Sequence, residues 1–168
     1  MPIVRATRYV SSVDKIDVEE LRDLGIRCVL LDRDNTLVPR STKVAPPEVR
    51  DWLDRLRKAG LAVCMVSNNF HTQEVCASAK DLGCKVVHHA MKPAPVAVQV
   101  AMLTCGVPRE QTILIGDQVF TDIVAGNLAG VRTVLVRPQS RRDLWYTHLF
   151  RIVERVALHG VRFEGELA

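Results

Sequence analysis

Apolar and polar positions alternate in blocks along this chain, and the blocks switch between two periods. Short apolar runs near 28–31, 61–66, 85–88, 112–115 and 132–136 have the length of buried strands. Between them, apolar residues recur three and four apart. Val49, Trp52, Leu53 and Leu56 repeat at i, i+3, i+4 and i+7 behind Pro46-Pro47. Arg50, Asp51, Asp54, Arg55, Arg57 and Lys58 take the opposite side, so the spacing predicts a helix that Gly60 closes and reads Trp52 as core. Further helices are expected over 72–82 on Val75, Ala79 and Leu82, and over Val98, Ala101, Met102 and Cys105 up to Gly106-Val107-Pro108. A small-residue helix is expected over 122–129. Earlier, Asp17 is a candidate N-cap with Glu20 three residues on, Leu21 and Leu24 forming an apolar edge and Gly25 a stop. Residues 1–15 read as an irregular lead-in with Arg5, Arg8 and Tyr9 at the surface. Leu149, Ile152, Val153 and Val156 read as a terminal amphipathic helix.

Strands alternating with helices through short loops predict an α/β fold: a Rossmann-like, five-stranded parallel sheet with helices on both faces. No repeat, low-complexity tract or linker interrupts the pattern, so one domain over 1–168 is expected. In such folds ligands bind beyond the carboxyl ends of the strands, where the strand order reverses.

Composition narrows the class without redirecting it. The chain has 168 residues, 48% hydrophobic and 25% charged, which is ordinary for a globular protein with a core of its own. A net charge of +4 permits attraction to phosphates or anionic membranes, but acidic residues are interspersed and no Lys/Arg run appears, so no nucleic-acid partner is expected. Five cysteines at 28, 64, 76, 84 and 105 form no Cys-x-x-Cys pair and read as free thiols of a reducing compartment. With no secretory leader and no apolar stretch of spanning length, the expected location is cytoplasmic, with a peripheral membrane position open. Nothing in the pattern specifies an oligomer.

The chemistry gathers at the strand ends. The run Cys28-Val29-Leu30-Leu31 delivers Asp32-Arg33-Asp34-Asn35-Thr36 into a loop. Ionised carboxylates at the end of a buried strand call for a cation, and a hard divalent ion suits oxygen ligands. Alternation along a strand lets Asp32 and Asp34 face one ligand, although a solvated turn explains these five residues alone about as well. Later strand ends add Ser67-Asn68-Asn69, then Lys92, then Asp117 and Asp122. A carboxylate nucleophile, a second carboxylate for acid/base work, a hydroxyl, an ammonium and metal carboxylates are the parts needed for phosphoryl transfer through a phospho-aspartate. The adjacent His88-His89 lacks a Cys/His partner pair at zinc-ligand spacing and reads as a strand end. His71 reads as a helix-start surface residue or a substrate contact.

The ordered set DRDNT, a strand ending in Ser67, Lys92, and GDQVFTD resembles the haloacid dehalogenase superfamily. That resemblance implies Asp32 as nucleophile, Asp34 as general acid/base and backbone-carbonyl metal ligand, and Ser67, Asn68 and Lys92 as phosphate ligands. It further implies Asp117 as a metal carboxylate, Asp122 as metal ligand or its supporting partner, and Mg²⁺ as cofactor. The stretches GIRCVLLDRDNTLV, VSNN, AMKPAP, GDQVFTDIVAGNLAG and ERVALHG are similar to the YqeG-type subclass IIIA phosphatases, whose relatives include mitochondrial and plastid phosphatidylglycerophosphate phosphatases. Arg33 stands where that family more usually has an apolar residue. Met91 stands where a Lys commonly precedes Lys92-Pro93, which lowers the local positive charge.

The leading expectation is a Mg²⁺-dependent phosphomonoesterase, with phosphatidylglycerophosphate the most specific substrate suggestion. The alternatives are a phosphatase of a small soluble phosphate or a phosphoprotein, and a binding protein on the same scaffold. The loops at 38–46 and 83–92 leave no room for an inserted cap, so the site is expected to be capless and open. A phosphate carried on something large fits such a site, with Arg5, Arg8, Arg141 and Arg142 available to an anionic surface. Trp145, Tyr146 and Phe150, beside Arg151, read as cover for a sheet edge or as interfacial anchors.

Overall fold

The computed structural model describes residues 3–140 and 158–165. Its centre is a parallel sheet of β1 (Arg8–Val10), β2 (Cys28–Leu31), β3 (Ala62–Val66), β4 (Lys85–Val87), β5 (Thr112–Gly116) and β6 (Arg132–Val136). The strand order is β1-β6-β5-β2-β3-β4, so the chain winds outward from β2 through β3 to β4 and then returns to build β5 and β6 on the other side. The order therefore reverses between β2 and β5, which pair in register from Cys28 opposite Thr112 to Leu31 opposite Ile115.

Helices α1 (Val18–Asp23), α2 (Pro47–Lys58) and α3 (Thr72–Asp81) cover one face, and α4 (Val96–Cys105) and α5 (Val124–Ala129) the other. Period-2 alternation in the strands serves both layers: Val29, Leu31, Val63 and Met65 join the core beneath α1–α3, while Cys28, Leu30, Cys64 and Val66 join the core beneath α4 and α5. The helix predicted from Pro46-Pro47 forms with Val49, Trp52, Leu53 and Leu56 all buried, and the Trp52 indole donates to the Ile16 carbonyl at 2.8 Å. That bond satisfies the one polar atom of the largest core side chain. The five cysteines are free.

Several expectations are corrected. The sheet has six strands rather than five, because the lead-in contains β1, whose three residues pair with Val134 to Val136 of β6 at the sheet edge. Asp17 caps α1, but its carboxylate accepts from the Glu19 N–H, while Glu20 turns away to pair with Arg8. Leu24 follows α1 and is largely exposed rather than part of an apolar edge. The helix expected from Asp122 begins as a π-helical turn over Val119–Ile123, and α5 continues from it. The expected terminal helix on Leu149, Ile152, Val153 and Val156, together with Arg141, Arg142, Trp145, Tyr146, Phe150 and Arg151, lies outside the described residues. Among the described residues no helix is long and apolar enough to cross a membrane.

Candidate active site

Asp32 follows β2 directly and its N–H still donates to Ile115 of β5, so the sheet itself fixes the first carboxylate at the reversal point. Beyond it the chain turns: the Leu37 and Val38 N–H groups return to the Arg33 carbonyl, and Asn35 adopts a left-handed φ of 63°, a conformation that Asn tolerates. Asp117 follows β5, and Asp122 sits in the π-helical turn. Carboxylate oxygens of Asp32, Asp117 and Asp122 lie within 4.8 Å of one another, and all three residues are buried.

Lys92 reaches this cluster from the loop after β4. Its Nζ donates to Asp32 Oδ1 at 2.7 Å, to Asp122 Oδ1 at 2.6 Å and to the Val66 carbonyl at 2.8 Å, which uses all three ammonium protons. Asn68 holds that loop, accepting from the Lys92 N–H at 2.8 Å and donating to the Lys92 carbonyl at 3.0 Å. The second oxygen of Asp122 accepts from the Gln118 N–H at 3.1 Å.

Burial pushes the Asp32 carboxyl up, Lys92 pulls it down, and Asp122 and Asp34 push it up again, leaving it at about 7. Burial works against the charge on Lys92, but Asp122 and Asp32 outweigh it and raise the ammonium above its ordinary value. Three buried carboxylates against one ammonium leave room for a further positive charge. The donor set is all oxygen, so a hard divalent cation fits it, as the sequence pattern requires. Among the described residues this is the one group of His, Cys, Asp and Glu arranged to hold a metal, so His88 and His89 form no such site.

The cluster floors an open cavity of about 500 Å³. Asp32, Asp34, Asn68, Lys92 and Asp122 line it, together with Arg40, Lys43, Asn69, Phe70, His71, Glu74, Gln118 and Thr121, so the aspartates of the first motif do face one space. No cap covers it among the described residues: the connections from β2 to α2, β3 to α3 and β4 to α4 are loops. Ser67 is fully buried behind the wall, where its Oγ accepts from the Asn69 N–H at 3.1 Å. The Asn68 amide thus fixes the Lys92 main chain through its oxygen and one of its two Nδ2 protons, and the residue also lines the cavity.

Sequence reasoning missed how Asp34 is held. Its Oδ2 accepts from Asn69 Nδ2 at 3.1 Å and its Oδ1 from Arg33 Nη1 at 2.7 Å. Arg33 also pairs with Glu74 at 2.8 Å, and Glu74 is shared with Lys43 at 3.3 Å. The hydrogen bond from Arg33 holds Glu74 below the usual carboxylate range against slight burial, with Lys43 helping. Such a lowered value stabilises the fold above the unfolded carboxylate value of about 4.3, and the gain disappears as pH falls through the lower folded value. Glu74→Gln is therefore expected to lower stability by about 1 kcal/mol or less at pH 7. Thermal melts should show the gap to wild type closing in acid below about pH 4.

Residues 4–139 match the family model described as mitochondrial PGP phosphatase. The chain belongs to the PGP phosphatase family. It is a phosphomonoesterase. The probable phosphatase YqeG of Bacillus subtilis is 31% identical, with 95% of this chain and 92% of that protein covered. The chloroplastic/mitochondrial phosphatidylglycerophosphate phosphatase 1 of Arabidopsis thaliana is 34% identical over 80% of this chain, which spans 41% of the plant protein's length. The cobalt-bound deoxy-D-mannose-octulosonate 8-phosphate phosphatase of Haemophilus influenzae shares the fold, with a TM-score of 0.53 at 19% identity over 81% of this chain and 89% of that one.

The site of this family member also constrains its neighbours. A Cβ on Gly116 would overlap the Asp122 side chain, so the final residue of β5 has to be glycine for Asp122 to reach Lys92. Gly116→Ala should cost about 1–3 kcal/mol of overpacking and most of the activity. Thermal melts and phosphate-release assays on the purified variant check both.

Proposed function

We propose that this phosphatase works through a phospho-aspartate on Asp32, uses Mg²⁺, and takes its phosphate from a lipid, with phosphatidylglycerophosphate as the substrate. The observation that carries the reading is the buried Asp32–Lys92–Asp122 cluster, with Asp117 beside it, flooring an open cavity at the sheet's reversal point. Asp32, Asp117 and the main-chain carbonyl of Asp34 would hold Mg²⁺, with Asp122 as a further ligand or as the anchor of Lys92. The ion supplies charge that offsets repulsion between nucleophile and phosphate oxygens.

In the first step an Asp32 oxygen attacks phosphorus, the bond from phosphorus to the substrate oxygen breaks, and the leaving alkoxide takes a proton from Asp34. Asp34, now a carboxylate, accepts a proton from water as that water attacks the phosphorus of the acyl phosphate. The bond from phosphorus to Asp32 breaks, and phosphate leaves. Lys92, which lines the cavity, would hold the phosphoryl oxygens by turning an N–H from one of its present partners, the buried Ser67 hydroxyl would reach them on a shift of the turn it shares with Asn69, and Asn68 contributes by fixing the Lys92 loop.

A lipid substrate is supported by the rim. Phe70 is an exposed hydrophobic of the cavity lining, Val44 and Met91 are exposed next in sequence to the lining residues Lys43 and Lys92, and Arg40 and Lys43 stand on the same lining. Apolar and cationic side chains together suit an anionic bilayer surface. Arg8, expected to face such a surface, is instead engaged by Glu20 and Glu164. The membrane-facing role therefore moves from Arg8 to the rim. The protein is proposed to act as one domain located in the cytoplasm, touching the membrane peripherally. We expect higher kcat/KM on phosphatidylglycerophosphate in mixed micelles than on glycerol phosphate, and salt-sensitive binding to anionic vesicles. Efficient turnover of a small sugar phosphate, with neither lipid-phosphate activity nor vesicle binding, contradicts the lipid reading and favours a soluble substrate.

A further inference from the structure

Arg33 lies between the two aspartates yet belongs to neither the cavity nor the solvent. Along β2 and beyond it, Asp32 and Asp34 share one side while Arg33 continues the side of Val29 and Leu31, which points beneath α3. There it is 1% exposed, and its guanidinium has three partners: Nε donates to Ser78 Oγ at 3.0 Å, Nη2 to Glu74 Oε1 at 2.8 Å, and Nη1 to Asp34 Oδ1 at 2.7 Å. Two partners stand on α3 and the third is the carboxylate that reaches back into the cavity. The other Asp34 oxygen is held by Asn69 at 3.1 Å.

We infer that Arg33 is a positioning residue for Asp34, fixing its carboxylate against α3 in the one orientation from which it exchanges a proton with the substrate oxygen. The inference rests on the reading of Asp34 as the acid/base. A plain structural role explains the arrangement less well. Burying a guanidinium is costly, and an apolar side chain at this position would extend the core that Val29 and Leu31 already join. What an apolar side chain could not do is grip Asp34. The planar fork spans Asp34 and Glu74 at once in a way that a lysine ammonium does not match. A carboxylate pinned from two sides has little orientational freedom left to lose when the substrate arrives, and small misplacements of a catalytic group reduce rate strongly.

The chemistry separates positioning from stability. An alkyl phosphate releases a basic alkoxide that needs the proton from Asp34 as the bond from phosphorus to oxygen breaks, whereas p-nitrophenyl phosphate releases a phenolate stable enough to leave without it. The test measures kcat/KM of wild type, Arg33→Met and Arg33→Lys with Mg²⁺ on an alkyl phosphomonoester and on p-nitrophenyl phosphate. The expected result is a fall of about 10–100-fold for Arg33→Met on the alkyl ester and only a few-fold on the aryl ester, with Arg33→Lys recovering part of the alkyl activity. If Arg33→Met does not fold, Glu74→Gln combined with Ser78→Ala loosens the same guanidinium and should show the same bias at smaller size. Equal losses on both esters, or no loss on either, overturn the positioning role. Equal losses for Asp34→Asn on both esters overturn instead the acid/base reading beneath it.

Discussion

Asp32→Asn protein will fold, and it will release phosphate at least about 10⁴-fold more slowly than wild type, since an amide at that position cannot form the acyl phosphate. Its backbone N–H is paired with Ile115 and its Oδ1 faces Lys92, and both interactions survive the substitution of one terminal atom. The same variant is expected to be more stable than wild type when metal is stripped. Burial, with Asp122 and Asp34 adding to it and Lys92 opposing it, leaves the folded Asp32 carboxyl at about 7. An unfolded aspartate titrates near 3.9, so the folded state binds this proton more tightly. The ionised group therefore weakens the metal-free fold progressively as pH rises from about 4 to about 7, and has no such effect below about 4. At pH 8 in EDTA the Tm of Asp32→Asn should exceed that of wild type by several degrees, at about 2–4 °C per kcal/mol, and the difference should vanish near pH 4. Added Mg²⁺ should raise the Tm of wild type more than that of the variant. Turnover at the wild-type rate in purified Asp32→Asn would contradict the nucleophile assignment.

Lys92→Met is expected to lose both activity and stability. The ammonium is buried and spends its three protons on Asp32, Asp122 and the Val66 carbonyl, so its removal leaves two buried carboxylates facing each other without their cation. Breaking one partner out of a buried ionic group costs about 3–5 kcal/mol, more than most single substitutions. At about 2–4 °C per kcal/mol the Tm should drop by roughly 6–20 °C. A divalent cation should restore part of that loss, because it supplies charge to the same oxygens. It should not restore turnover, because the donor proposed to hold the phosphoryl oxygens is gone. Melting curves with and without Mg²⁺, paired with phosphate release, measure the two effects separately. An unchanged Tm would show that the cluster does not depend on Lys92.

The centre of this molecule was legible because local rules and global fold agree there. Trp52 lies on a helix face spaced for burial and is fully buried. The strand runs that carry Asp32, Ser67 and Asp117 lie next to one another in the sheet, and alternation brings Asp32 and Asp34 into one cavity. What escaped is non-local. The first strand has three residues and pairs with β6 across more than a hundred positions, so no periodicity could reveal it. Glu74 meets Arg33 from 41 positions away, and nothing in its own helix marks it as a buried arginine's partner. One signal was present: the alternation that aims two aspartates outward also sends the residue between them inward, and an arginine sent inward requires acids nearby. The pairing of Asn68 with the Lys92 backbone escaped for a related reason, since it depends on two loops meeting.

The central claim is that the phosphoryl group passes through Asp32. The most direct measurement incubates Asp34→Asn with a phosphomonoester labelled on its phosphoryl group in Mg²⁺, quenches in acid and locates the label by peptide mapping. With the aryl ester, whose leaving group needs no proton, the variant should still form the acyl phosphate but hydrolyse it slowly, so label should accumulate on the peptide containing Asp32 and be absent when Asp32→Asn is added to the same chain. Steady phosphate release by wild type, with no label on Asp32 in either protein or with label on another residue, would contradict the account.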